Sequence, residues 1–296
     1  VYELCDRVTV LRDGCNTACD EKLAGIDRDR LVALMIGRTQ EVTELSEKRV
    51  ERDAPLLEIR DLHAESGTDG VSFRLYRGEI LGLYGLVGAG RSELAKALIG
   101  VHRVTSGEVL VKGRAVKIRS VAEALNVHRI GYVSENRKTE GLILSHSVAA
   151  NVSITVWRRI AGLFGWIWNH TERAVVKDYV ERLDIKTPSL LQVVNNLSGG
   201  NQQKVSMAKW LAAQAEILII DEPTIGIDVK TKYALHELIW ELASQGQAIL
   251  LISSDMPEMI RLADRILVMK DHKIVREIQN THQYGEISAE IMKSLV

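Results

Sequence analysis

The sequence predicts an α/β fold on a mostly parallel sheet core, with antiparallel strands beside it and a helical insertion. Three observations carry this expectation. A glycine-rich stretch, Gly85–Ser92 (G-L-V-G-A-G-R-S), joins the apolar run Ile80–Tyr84 to the helical pattern Glu93–Ile99, the strand-to-helix context that a phosphate-binding loop requires. Ile217–Ile220 and Ala248–Ile252 are unbroken apolar runs, as expected of strands buried on both faces. Helical patterns at Val121–Leu125, Asn201–Ala213, Lys230–Ser244 and Pro257–Leu262 alternate with these strands.

Taken in order, the chain opens on a segment that returns near its end. Cys5–Gly14 reads C-D-R-V-T-V-L-R-D-G and Ala263–His272 reads A-D-R-I-L-V-M-K-D-H, so Asp6, Arg7, Val10 and Asp13 recur as Asp264, Arg265, Val268 and Asp271. A helical pattern follows each copy, Asp29–Ile36 and Ile287–Val296. Self-similarity of this length indicates duplication. Residues 1–38 are therefore expected to be the tail of a preceding domain of the same kind, and the chain a fragment of a longer tandem protein. Residues 39–55 are charged, lack apolar periodicity and suit a linker. The second domain is expected over 56–296. Within it Leu56–Arg60, Val71–Tyr76 and Gly107–Lys112 alternate as partly exposed strands, and Arg77-Gly78 turns the chain into Ile80–Tyr84. From Ser145 to Asn196 strand patterns stop, which places a helical subdomain at about 145–200 with Trp157, Trp166 and Trp168 as its packing residues.

Composition narrows the class. A chain of 296 residues buries a full core. A net charge of −1 without a Lys/Arg block argues against a nucleic-acid partner. Cys5, Cys15 and Cys19 form neither an even disulfide framework nor a metal-spaced set and read as free thiols. Ala161–Trp168 is too short to span a bilayer and the opening residues do not read as a signal peptide, so any membrane contact is expected to be peripheral.

The candidate chemistry lies in three stretches. In Gly85–Ser92 the glycines at 85, 88 and 90 allow successive N–H groups to point at an anion, the helix adds its dipole, and the Ser92 hydroxyl suits Mg²⁺. Arg91 stands where the pattern has Lys, with the same charge carried on a planar fork. Alone, such a stretch also reads as a turn capping an ordinary helix. Ile217–Asp228 (I-L-I-I-D-E-P-T-I-G-I-D) ends a strand in Asp221, positioned to hold Mg²⁺ beside Ser92, with Glu222 next to it to polarise a water. An acidic pair before Pro223 serves equally as a plain turn. Asn196–Lys204 (N-L-S-G-G-N-Q-Q-K) offers Ser198 as a helix N-cap and two glycines that expose N–H groups.

With all three in one chain, the sequence resembles the ATP-binding-cassette (ABC) ATPases, and within them the second half of the two-cassette subunit of bacterial ribose/galactoside/arabinose-type sugar importers. The resemblance implies an ABC-type P-loop nucleotide-binding domain in which Gly85, Leu86, Val87, Gly88, Ala89, Gly90, Arg91, Ser92 and Glu93 cradle ATP. It implies Mg²⁺ at Ser92, Asp221 and Glu135, the last standing at the Gln position of a Q-loop over Gly131–Leu142. Glu222 matches the catalytic carboxylate, and Ser254 falls at the position of the catalytic switch His. Ser198, Gly199 and Gly200 match the signature motif, which contacts ATP across a cassette pair, and Asp228 matches the D-loop. Leu62–Val71, where an aromatic normally stacks on adenine, offers only His63.

Arg91, Glu135 and Ser254 depart from the family pattern while Asp221 and Glu222 remain. The implied function is the C-terminal half of an importer's ATP-binding subunit, coupling ATP binding and hydrolysis to carbohydrate uptake. In this reading its own site is degenerate and its signature completes the first domain's site. The alternative is a non-hydrolysing nucleotide-binding regulatory scaffold. Implied partners are the first ABC domain of the same polypeptide, transmembrane permease subunits and, indirectly, a periplasmic or extracellular sugar-binding protein. The implied location is the cytoplasmic face of the cell membrane.

Overall fold

A computed structural model describes residues 5–12, 15–27, 30–31, 34, 48–162 and 166–295. The helix expected at 29–36 lies largely outside the described residues, as do residues 39–47 of the expected linker. The N-terminal segment forms an antiparallel hairpin of β1 (Arg7–Arg12) and β2 (Cys15–Lys22), with a small core of its own in Val10, Ala18, Ile26 and Leu31.

The main body starts with β3 (Leu57–Ala64), β4 (Val71–Leu75) and β5 (Ile80–Gly85), which leads through the glycine-rich loop into α1 (Arg91–Leu98). Next come β6 (Val104–Val111), β7 (Arg114–Val116), α2 (Val121–Asn126) and β8 (Ile130–Val133). The helical subdomain holds α3 (Val148–Ser153), the single turn α4 (Trp157–Ile160) and α5 (Asn169–Arg182). The chain then runs through α6 (Gly199–Ala212), β9 (Ile217–Asp221), α7 (Val229–Ser244), β10 (Ala248–Ile252) and α8 (Met256–Leu262). It closes with β11 (Arg265–Lys270), β12 (Lys273–Gln279) and α9 (Tyr284–Leu295).

Among the described residues the strands form a six-stranded sheet, ordered β12-β11-β5-β10-β9-β8 and parallel except for β12, and a four-stranded antiparallel sheet, β4-β3-β6-β7. The parallel strands are buried at every position except Lys270 because both faces are covered, and they are apolar apart from Asp221, Arg265 and Lys270 at strand ends. Leu218 and Ile220 join a core with Leu211 of α6 and Ile239 of α7, whereas Ile217 and Ile219 join another with Leu94 and Leu98 of α1 and Leu57 of β3. All parallel strands of this sheet therefore end on one edge, where loops meet, as in any doubly covered α/β sheet. The hairpin β11–β12 is antiparallel, like β1–β2, so the two copies of the repeated segment make the same local structure.

One expectation gains detail and one needs correction. The strand β8 occupies the start of the span read as the Q-loop. Its I-G-Y-V sequence contains Gly131, where a Cβ would come within 3.1 Å of both Leu218 and Trp210, so close packing replaces the bulky residue that a strand pattern needs. The tryptophans do not pack the insertion as a set. Trp157 is half-buried and donates from Nε1 to Ser153 Oγ at 2.9 Å, but Trp166 and Trp168 are 66% and 58% exposed. The reason is that α5 contributes only Val176 as a buried side chain and Trp168 stands at its N-cap, outside the α3–α6 contact that forms the subdomain's core.

Candidate functional site

The glycine-rich loop takes its shape from two left-handed glycines, Gly88 (φ +86°) and Gly90 (φ +94°). Gly85 serves a different purpose from the turn the sequence suggested. It is the last residue of β5, and a Cβ there would approach the Met269 carbonyl of β11 to 2.5 Å, so adjacent strands could not pair over a larger residue. Leu86 and Val87 project into solvent, Ala89 is buried, and Glu93 lies in the first turn of α1. The tip of the β11–β12 hairpin braces this loop. His272 N donates to Ala89 O at 3.0 Å, His272 O accepts from Asp69 N at 3.2 Å, and the imidazole lies against both Gly67 and Gly90. No local pattern announces that contact.

At the ends of β9 and β10 the acidic residues are gathered below the loop. The Arg91 guanidinium turns toward Glu222, with Nη1 3.3 Å from Oε1 and both side chains buried. Glu222 has a left-handed backbone (φ +47°), unusual for a branched-free but bulky acid and a form of strain that clusters at functional sites. Its N–H donates to Ile252 O at 2.9 Å, which fixes the turn to the end of β10. Burial pushes the Glu222 carboxyl up, while hydrogen bonds from the Ser254 hydroxyl and N–H and the charge of Arg91 pull it down. Burial likewise pushes Asp221 above the aspartate range, against hydrogen bonding from Ser92 and Tyr132. The Tyr132 hydroxyl donates to Asp221 Oδ2 at 2.9 Å, and its own ionisation is driven up, by burial first and then by Asp221.

Asp221 Oδ1 is buried without a hydrogen-bond partner. A carboxylate oxygen in that state, on a side chain that also accepts from the Ser92 hydroxyl, suits a hard cation such as Mg²⁺. Glu135 is exposed on the loop after β8, close enough for its charge to raise Asp221. Ser92, Asp221, Glu135, Arg91, Glu222 and Ser254 are thus brought together from four separate stretches.

The Ser198 turn lies elsewhere on the surface. Ser198 caps α6 by accepting from Asn201 N, and Asn201 Nδ2 also donates to its hydroxyl at 3.0 Å. Gly200 packs so closely on Thr231 of α7 that no side chain fits there. Asp228 caps α7, its Oδ1 accepting from Thr231 N at 3.0 Å and its Oδ2 from the Thr231 hydroxyl at 2.7 Å. The Ser198–Gly200 turn and the Asp228 loop therefore form one surface. His63 is bracketed by Asp61 at 3.3 Å and Asp69 at 3.1 Å rather than standing free to stack.

Sequence reasoning missed Tyr132 and His272. It also missed a buried chain behind Ser254: His236 Nε2 lies 2.8 Å from Glu258 Oε1, and Glu258 Oε2 accepts from the Ser253 hydroxyl at 2.6 Å. No histidine occupies the Ser254 loop itself, yet one supports it from α7. No helix among the described residues is long and apolar enough to cross a membrane.

Comparison with known proteins places the fold. A family model described as ABC transporter matches residues 68–225. The chain is 43% identical over 278 residues to a ribose import ATP-binding protein of Clostridium perfringens, covering 94% of this chain and 55% of that one. It is 42% identical over 282 residues to an arabinose import ATP-binding protein of Burkholderia cenocepacia, covering 95% of this chain and 54% of the other. The chain thus spans about half the length of the curated relatives it matches. Among solved structures it is similar to a nucleotide-free ATP-binding cassette from an ABC transporter, with a TM-score of 0.68 at 19% identity over 81% of this chain and 98% of that one. A dimeric cassette bound to ADP and Pi in a post-hydrolysis state matches with a TM-score of 0.65 at 21% identity, covering 75% and 98%.

Proposed function

The chain belongs to the ABC transporter family, with the ATP-binding-cassette fold, and from that premise we propose that it is the C-terminal half of a two-cassette ATP-binding subunit of a sugar importer. Relatives of about twice its matched length that carry sugar-import names support this reading. So does the hairpin β1–β2, which matches β11–β12 and fits the end of a preceding cassette.

In this reading Gly85–Glu93 receives the phosphates of ATP on backbone N–H groups and the α1 dipole. Ser92 and Asp221, with Glu135 beside them, would hold Mg²⁺, which when bound neutralises charge on the phosphate oxygens. Glu222 is the group that would orient a water, with Ser254 as its hydrogen-bond donor. The observation that carries the functional assignment is the buried pair of Arg91 and Glu222. The cation meant for the phosphates and the base meant for the water occupy each other. Hydrolysis at this half is therefore weak or silent, and its main contribution is the surface of Ser198–Gly200 and Asp228, which completes the site of the first cassette.

The partners follow from that role: the first ABC domain, permease subunits at the cytoplasmic face of the membrane, and through them a sugar-binding protein. The exposed Trp166, Trp168, Leu191 and Ile143 on and beside the helical subdomain provide apolar area for the permease.

The test is turnover in a two-cassette polypeptide that carries this half. Glu222→Gln is expected to leave ATP hydrolysis within about twofold, and a bulky substitution at Gly200 to abolish most of it. A large loss with Glu222→Gln would restore this half as a hydrolytic site. If neither change alters turnover, the non-hydrolysing regulatory scaffold, which the Arg91–Glu222 pair also favours, is the better reading.

A further inference from the structure

We propose that Arg137 is a positioning residue that ties the loop after β8 to the two loops facing the other cassette, Ser198–Gly200 and Ile225–Asp228; the proposal rests on the cassette-pair reading above. The chain leaving β8 makes one π-turn over Arg137–Gly141, begun by Asn136, whose side chain accepts from Thr139 N at 3.3 Å. Single π-turns of this kind are uncommon and recur at functional sites. From this turn the guanidinium of Arg137 reaches the chain after β9, donating from Nη1 to Ile225 O at 3.1 Å and from Nη2 to Gly226 O at 3.4 Å.

The same guanidinium lies against Gly199. A Cβ at Gly199 would lie 2.8 Å from Arg137 Nη2 and 3.2 Å from Gly226 O, so the guanidinium in its present place and the Gly226 carbonyl leave room there only for a glycine. Gly226, with φ +67°, takes a backbone conformation that other residues rarely adopt. Arg137 Nε is buried without a hydrogen-bond partner, and among the described residues no carboxylate pairs with this cation. What holds it is the two carbonyls. A planar fork can reach two successive carbonyls from separate nitrogens while lying flat along a glycine, whereas a lysine ammonium gathers its three donors at one point and cannot lie flat there. Displacement of the loop that carries Glu135 is thereby passed to the signature and to Asp228 as a single unit, through one side chain.

Two experiments separate this from the reading it rests on. In the 296-residue chain, Arg137→Ala is expected to speed amide exchange by about tenfold or more at residues 198–201 and 225–228, leaving β9 and β10 unchanged. Unchanged exchange in both loops overturns the clamp. In the two-cassette polypeptide the same change is expected to lower kcat about tenfold or more with KM for ATP within about threefold, and Arg137→Lys to recover less than about a third of the loss. An unchanged kcat, or full recovery by Lys, overturns the positioning role. A wild-type polypeptide without ATP turnover refutes the cassette-pair reading instead, and the exchange result then judges the clamp alone.

Discussion

Arg91 and Glu222 face each other in the buried site, Nη1 to Oε1 at 3.3 Å, with side chains 9% and 7% exposed and Nη1 making no hydrogen bond. The pair closes because Arg has the reach and the fork to span the space between α1 and the end of β9, where a lysine would present a single point charge.

Arg91→Lys is accordingly expected to raise ATP hydrolysis at this half by about tenfold or more, since one phosphate contact is commonly worth that much and Glu222 is freed as well. Hydrolysis by the two-cassette polypeptide, with its first site disabled, is the measurement. Adding Glu222→Gln should remove the gain. If Arg91→Lys changes nothing, Arg91 is not what silences this half.

Tyr132 keeps the buried Asp221 carboxylate supplied with a donor at 2.9 Å. Hydrogen bonding to the charged form favours it, so Tyr132→Phe should push Asp221 further up and weaken it as a cation ligand. Nucleotide binding in the presence of Mg²⁺ is expected to fall about tenfold, and binding in EDTA to stay the same. Equal losses under both conditions would show that the phenol acts on packing alone.

The end of the expected linker is anchored. Lys48 Nζ lies 2.6 Å from Asp264 Oδ2 and 4.4 Å from the Trp240 ring centroid, and that carboxylate oxygen also accepts from Ile80 N at 2.8 Å. Asp264→Ala leaves a buried cation and a buried N–H unpaired and should cost about 3–5 kcal/mol in urea unfolding. Lys48→Met keeps the apolar stem over Trp240 and should cost only about 1–2 kcal/mol. Equal losses would mean that the pair, rather than the orphaned cation, sets the energy.

Lys209 gives a pH signature. Its Nζ donates to Gly141 O at 2.5 Å, and burial pushes its pKa down to about 8. The folded value lies below the ordinary 10.5, so between about pH 8 and 10.5 the unfolded chain holds a proton that the folded chain has lost. Raising the pH through that window therefore adds stability from this group. The unfolding free energy of wild type minus that of Lys209→Met is expected to rise between about pH 7.5 and 9.5. A difference that stays flat would remove burial of this cation as the cause.

Much of the architecture was legible because its signals are local. Ile217–Ile220 and Ala248–Ile252 read as doubly buried strands and are so, within a residue, since nothing but burial on both faces demands apolar residues at successive positions. The helix start at Ser198 was legible through capping chemistry, whereas Asp228 showed itself as the cap of α7 only in the structure. Strand β8 was not, because Gly131 replaces a bulky residue for the sake of Trp210 and Leu218, which come from far along the chain. Trp166 and Trp168 misled, since aromatic type alone says nothing about whether a partner surface is present.

What the sequence by itself determined is the set of chemical groups and their local settings: a loop of N–H groups after a strand, two carboxylates at a strand end, a capped turn with two glycines. These depend on backbone geometry and on neighbours a few residues away. Tertiary structure decided which of those groups meet. Arg91 meets Glu222, Tyr132 meets Asp221, His272 braces the phosphate loop, and Arg137 crosses Gly199 to reach Gly226. Each pairing joins groups remote in sequence through a parallel sheet whose order differs from chain order, so no periodicity in the sequence could have carried it.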